Sequence, residues 1–243
     1  MLALLRKEIS EFFSSVTGYV VVAIFLLINS MFIWIFHSEF NVLDMGYANL
    51  DSMFILAPWI FLFLIPAVTM RLFAEENRSG TAEWLLTKPL SDFKIVIAKF
   101  LAGLGLSAIA LVPTLIYLIS LVTLADPPGN IDYGGLAGSY AGLFFLAGVY
   151  SAIGVFASSL TKNQIVAFFI SIVMCYFFFL GFSQLASLGF SGGMQDFIIS
   201  LGINDHYTSM SRGVIDSRDV VYFISVTGLF LFITKLSLES RKW

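Results

Sequence analysis

The sequence predicts an all-α integral membrane protein with six transmembrane helices. Three observations carry that fold class. Hydrophobic residues make up 58% of the 243 positions and charged ones only 12%, with a mean hydropathy of +0.91. Soluble domains carry roughly 25% charged residues, because their surfaces face water. Six stretches lack Asp, Glu, Lys and Arg, and the basic residues sort onto one side of the spans those stretches define.

The uncharged stretches are 12–38, 52–70, 100–125, 133–161, 163–195 and 220–234. Crossing about 30 Å of hydrocarbon takes about 20 apolar residues. The spans expected are therefore 17–37, 52–71, 96–124, 136–160, 164–187 and 217–236. The last reaches full length if Asp219 and Lys235 sit at opposite interfaces, with Lys235 snorkelling. Twelve Leu, Ile, Val and Phe residues between Gly18 and Phe36 favour insertion of the first span by roughly 4–7 kcal/mol. Arg6 and Lys7 ahead of it suggest a signal peptide, but Glu8, Glu11, the length of the run and the lack of a small-residue cleavage site favour a retained span. Helices are expected because backbone groups in hydrocarbon must bond within their own segment. A barrel needs alternation, and Tyr176 to Leu180 is apolar on every side. The whole chain reads as one transmembrane domain. Its lone cysteine, Cys175, has no partner for an intramolecular disulfide and reads as a small core hydrophobe.

Orientation follows from the charges. The N-terminus, residues 71–95, residues 161–163 and the C-terminus hold Arg6, Lys7, Arg71, Arg78, Lys88, Lys94, Lys162, Lys235, Arg241 and Lys242, with Lys99 at the margin. The other side holds only Arg212 and Arg218, against nine acids. Both termini are expected in the cytoplasm of a bacterium, with the spans in its inner membrane.

Three segments outside the spans are candidates for function. Residues 1–15 read as an amphipathic helix lying at the membrane interface, with Leu2, Leu5, Ile9 and Phe12 on one face and Arg6, Lys7, Glu8 and Glu11 around the rest. An interfacial anchor and a gating or partner-binding element both fit. Residues 71–95 combine acids and bases with Trp84, Leu85 and Leu86; Ser79 or Thr81 could cap a short helix that Pro89 ends. That mixture suits docking to a soluble partner; a solvated connector is the plainer reading. Residues 188–216, after glycines at 181, 189, 192 and 193 break the fifth helix, suit short re-entrant or interface-lying helices. Pro58, Pro66 and Pro113 should bend their spans. Gly138 and Gly142 begin a small-residue face for helix packing, within the chain or across a dimer. Asp216 and Asp219 read as a helix start, and His206 has no partner at metal spacing.

Residues 71–103 resemble the permease signature of the ABC-2 type transporters: an Arg closing the second span, then AEENRSGTAEWLLTKPLSDFKIVIAKFLAG leading into the third. The final HYTSMSRGVIDSRDVVYFISVTGLFLFITKLSLESRKW resembles that family's last external segment, last span and basic tail. LAPWIFLFLIPAVTMR, DPPGNIDYG and NQIVAF are similar to the gliding-motility-associated subunit of the family. The resemblance covers essentially the whole chain. It implies a six-helix ABC-2 permease fold of the type V exporter-like kind, with an N-terminal amphipathic helix, a cytoplasmic coupling helix and short external helices before the last span. It further implies ATPase coupling through Arg71, Glu75, Glu76, Arg78, Gly80, Thr81, Glu83 and Trp84, and an external gate around Gly192, Gly193, Arg212 and Gly213. The partners implied are ABC ATPase subunits and a second permease half, a distinct homologous subunit, besides membrane lipid. Export supporting gliding motility is the function implied.

The chain contains no G-x-x-x-x-G-K-[ST] loop to hold ATP phosphates. ATP and Mg are therefore expected on the partner ATPase, with no cofactor, metal or nucleic acid bound here and no catalytic residues. The expected docking residues are Glu76, Arg78 and Glu83. A proton- or ion-coupled transporter normally places ionisable groups within the bilayer, and the span interiors read as free of them. A membrane scaffold with permease architecture that moves no substrate stays open as an alternative.

Overall fold

The computed structural model describes residues 1–81, 91–126, 130–188, 192–213 and 215–240. Among them the regular structure is helical throughout. Among the described residues, six helices are long and apolar enough to cross a membrane: Val16–Ile35, Asp51–Ser79, Asp92–Leu124, Tyr133–Leu160, Gln164–Ala186 and Ser217–Glu239. Each expected span has its helix, with ends shifted by a few residues except at the second.

Helix α1 (Leu2–Ser14) precedes α2 (Val16–Ser30), whose last turn widens into a π-helical turn at Met31–Ile35. After the short α3 (Val42–Met45), capped by Asn41 Oδ1, comes α4 (Asp51–Thr69), which contains Pro58 and Pro66. The second span does not stop at Arg71. It continues through Met70 into α5 (Arg71–Ser79), because Leu72, Phe73 and Ala74 keep an apolar face to bury. Gly80 ends α5 with φ of 72°, the left-handed conformation that favours glycine at a helix C-terminus. Helix α6 (Asp92–Leu111) meets Pro113 in a 3₁₀ turn at Val112–Thr114, beyond which α7 (Leu115–Leu124) completes the third span.

Helix α8 (Tyr133–Leu160) is the axis of the bundle, packed against α4, α5, α6 and three later helices. Its glycines, alanines and serines let neighbours approach closely. A Cβ on Gly154 would run into Thr69 Oγ1 of α4, and one on Gly103 of α6 would touch Thr69 Cγ2 at 3.0 Å. Helix α9 (Gln164–Tyr176) continues through a π-helical turn at Phe177–Gly181 into α10 (Phe182–Ala186). Gly181 therefore widens the fifth helix without breaking it. Two short helices follow, α11 (Gly193–Ile199) and α12 (Ile203–Met210), then α13 (Ser217–Glu239), started by Asp216 Oδ1 accepting from the Arg218 amide at 2.9 Å.

The buried face of α1 is Leu4, Glu8 and Phe12, turned onto α6. Of the expected stripe of Leu2, Leu5, Ile9 and Phe12, Phe12 is buried and Leu2 exposed; the correction concerns Glu8, which occupies the packed side rather than the polar remainder. A carboxylate is buried there because a lysine waits opposite it.

Candidate functional site

Where the second span turns into α5, one hydroxyl stands inside the helical ladder. Ser158 Oγ of α8 donates to the Met70 carbonyl at 2.8 Å and accepts from the amides of Phe73 and Ala74, both at 3.0 Å. Met70 and Ala74 are the carbonyl and amide that would close one α-helical turn, so the side chain bridges an opened turn. Asn77 Nδ2 donates to the Thr161 carbonyl at 3.4 Å, tying α5 again to the end of α8.

Beside this junction lies a cluster of charges. Lys99 of α6 is fully buried; its Nζ donates to Glu8 Oε1 at 3.0 Å and to the Leu72 carbonyl. Glu76 Oε2 lies 2.9 Å from the same nitrogen, an ion pair outside hydrogen-bond geometry. Lys7 Nζ lies 3.4 Å from Glu76 Oε1, 3.6 Å from Glu11 and 3.7 Å from Glu8. Burial lowers the Lys7 pKa, but the carboxylates of Glu8, Glu76 and Glu11 outweigh it and hold the amine above its ordinary value. Arg71 places its guanidinium 4.4 Å over the Phe12 ring. Lysines and glutamates alternate in space, so α1, α5 and α6 are joined by groups that would each be costly to bury alone.

Lys99, read as lying at the margin of its span, sits in the N-terminal part of α6 but is fully buried and engaged there. The buried ammonium is tolerated because Glu8, Glu76 and a carbonyl surround it. Of the residues expected to couple, Arg71 packs on Phe12, Glu76 is turned inward, and Glu75, Arg78, Gly80 and Thr81 are exposed. Glu83 and Trp84 lie outside the described residues. Sequence reasoning missed Lys99 and Ser158 and misplaced Glu8. The available signal was one lysine within an otherwise apolar helix, and Glu8 at helical spacing from Leu4 and Phe12.

At the opposite end of the bundle, a Cβ on Gly138 would run into the Met210 carbonyl and one on Gly142 would lie 3.3 Å from the Tyr207 ring, so this small-residue face meets α12 of the same chain. Gly213 combines φ of 84° with a position where a Cβ would lie 2.9 Å from the Gly135 amide. Gly192 caps α11 with φ of 65°, Gly193 begins that helix, and Arg212 is exposed. His206, read as lacking a metal-spaced partner, lies in no metal-binding group among the described residues. It instead places Nδ1 2.7 Å from Asp219 Oδ1 and Nε2 2.8 Å from the Ser200 carbonyl, with its ring stacked on Tyr222 at 3.8 Å. Asp219 is accordingly more than a helix-start acid: it is buried against that histidine. Tyr207 donates to the Phe54 carbonyl at 2.6 Å, and burial pushes its phenol pKa up.

No curated protein matches the chain. A family model described as ABC-2 family transporter protein matches residues 2–236. That match spans nearly all of the sequence, ending within the last apolar helix and taking in Lys7, Glu8, Glu76 and Lys99. The chain is a multi-pass membrane protein belonging to the ABC-2 family of transporter proteins.

Proposed function

We propose that this chain is the permease half of an ATP-binding cassette exporter, driven by a separate ATPase that docks on α5 and the residues after it. The family works with ABC ATPases, and the observation that carries the reading is the continuity of the second span with α5. A force applied to α5 acts directly on a membrane-spanning helix, with Ser158 and the Lys99 cluster passing it to α8, α6 and α1. The charge split supports a cytoplasmic position for that end and an inner-membrane location. ATP and Mg belong to the partner on this reading, and the transporting unit is completed by a second, homologous permease half. The resemblance to gliding-motility subunits supports export in the service of surface motility. Residues 1–15, 71–95 and 188–216 serve a single transmembrane domain as interfacial helix, coupling loop and outer gate.

Exposure divides the coupling residues into two groups. Glu75 and Arg78 face outward and are assigned to docking, whereas Glu76 belongs to the internal cluster. Reversing both outward charges, Glu75→Lys with Arg78→Glu, should abolish copurification of the ATPase and its stimulation while leaving the permease folded. Unchanged copurification and stimulation would remove α5 from the docking surface.

A further inference from the structure

The end of the bundle opposite the lysine cluster holds a cavity of about 510 Å³. Its wall comes from α4, the π-helical turn after α9, and α12. The volume lies within the roughly 300–1,000 Å³ typical of small-molecule sites. Part of its lining is apolar: Ile55 and Trp59, both exposed, and Phe179 line it, and the Trp59 and Phe179 rings meet edge to face at 5.9 Å. The Tyr207 bond to the Phe54 carbonyl ties two of the lining residues together.

Two opposite charges stand on the same lining. Arg212 and Asp51 are both exposed and both line the cavity. Among the described residues neither makes an ion pair with the other or with any other group; Asp51 only accepts from Asn49 Nδ2 at 3.0 Å. An apolar stretch of lining beside a separated, unpaired cation and anion matches an amphiphile whose head carries both signs.

We propose that this cavity holds a zwitterionic phospholipid of the bilayer, of the phosphatidylethanolamine class. Its phosphate meets Arg212, whose planar donors suit phosphate oxygens. Its ammonium meets Asp51, and an acyl chain lies along Ile55, Trp59 and Phe179. The site does not depend on transport. Only its assignment to the outer leaflet rests on the orientation proposed above.

The test uses the full-length chain, with whatever subunits copurify, in nanodiscs of equal phosphatidylethanolamine and phosphatidylglycerol, followed by partial delipidation and native mass spectrometry. Phosphatidylethanolamine should be retained about tenfold over phosphatidylglycerol, the ratio expected from one charge-assisted contact. Asp51→Asn should erase that preference while keeping phospholipid bound, and Arg212→Gln should weaken retention of both lipids. Both substitutions are at exposed positions, so folding is kept, which thermal unfolding will check. A photoreactive phenylalanine analogue at Ile55 should crosslink to an acyl chain. Equal retention of the two lipids in the unsubstituted protein overturns the proposal, as does retention that neither variant alters. Occupancy that collapses when the ATPase-bearing complex turns over ATP would also overturn it, by marking the amphiphile as cargo. Failure of the docking test on α5 leaves these lipid measurements unaffected.

Discussion

Lys99 Nζ lies 3.0 Å from Glu8 Oε1, joining residues 91 positions apart in the chain. With Glu76 on its other side, this ammonium is the point where α1, α5 and α6 meet. Removing it leaves Glu8 and Glu76 with only the half-exposed Lys7 as a counter-ion. Lys99→Met should therefore destabilise the protein by about 3–5 kcal/mol, the usual effect of breaking a buried ion pair on one side. Adding Glu8→Gln and Glu76→Gln to Lys99→Met should recover much of the loss, because the amides need no counter-ion. Thermal unfolding in nanodiscs, compared across the single and triple variants, checks both expectations.

The Ser158 hydroxyl gives a second expectation. Ser158→Ala removes one acceptor serving two buried amides and one donor serving the Met70 carbonyl. Leaving such groups unpaired costs about 1–3 kcal/mol. The loss should be local. Hydrogen exchange at Phe73 and Ala74 should accelerate in Ser158→Ala, with the middle of α8 unchanged. Partner ATPase stimulation should fall as well if α5 transmits force.

Six spans were legible because hydropathy sums over about 20 residues and tolerates errors at the ends. The join between α4 and α5 was not legible, since Arg71 was read as the end of a span while Leu72 to Ala74 went on burying a face. Glu8 and Lys99 carried a faint local signal, one charge each on an otherwise apolar helical face, but their pairing depends on how distant helices pack. His206 and Asp219 are brought together across the turn at Gly213, whose left-handed backbone no periodicity reveals. The outward positions of Glu75 and Arg78 likewise needed the fold, because the sequence shows charges but not which ones are already engaged.

Gly154 and Gly138 should separate two kinds of close approach. The Cβ of Gly154→Ala meets a hydroxyl of Thr69, whereas that of Gly138→Ala meets the Met210 backbone carbonyl. Overpacking of this kind costs about 1–3 kcal/mol. Thr69→Gly, which also removes the Thr69 Cβ that would lie 2.8 Å away, should rescue Gly154→Ala more fully than Thr69→Ala, and no side-chain change at 210 should rescue Gly138→Ala. Gly105→Ala, facing open space, serves in the same unfolding measurements as the control that carries only the gain of replacing a helix-interior glycine, about 0.5–1 kcal/mol.

The cluster around Lys7 sets an alkaline limit. Carboxylates raise the Lys7 pKa above its ordinary 10.5 in the folded protein. Its contribution is therefore fully present below that ordinary value and is lost as pH rises through the higher folded value. Release of α1, followed by proteolysis near Ser15, should increase above about pH 10.5. In Lys7→Met that alkaline step should shrink, with some release already present at neutral pH.

The final expectation concerns His206, which connects three elements at the far end. Its ring stands between Asp219 of α13 and the Ser200 carbonyl that follows α11, and it lies flat on Tyr222. His206→Ala leaves the buried Asp219 carboxylate without its partner and removes the stacking surface. The cost should be about 2–4 kcal/mol, since an unpaired buried carboxylate is penalised more than a neutral group. His206→Ala with Asp219→Asn should be milder than His206→Ala alone, because the neutral amide tolerates burial better. A cysteine placed at Met194 in α11 reports the consequence through its labelling rate. Labelling should rise in His206→Ala and return toward the original rate in the double variant; equal rates in all three would show that α11 is held by other contacts.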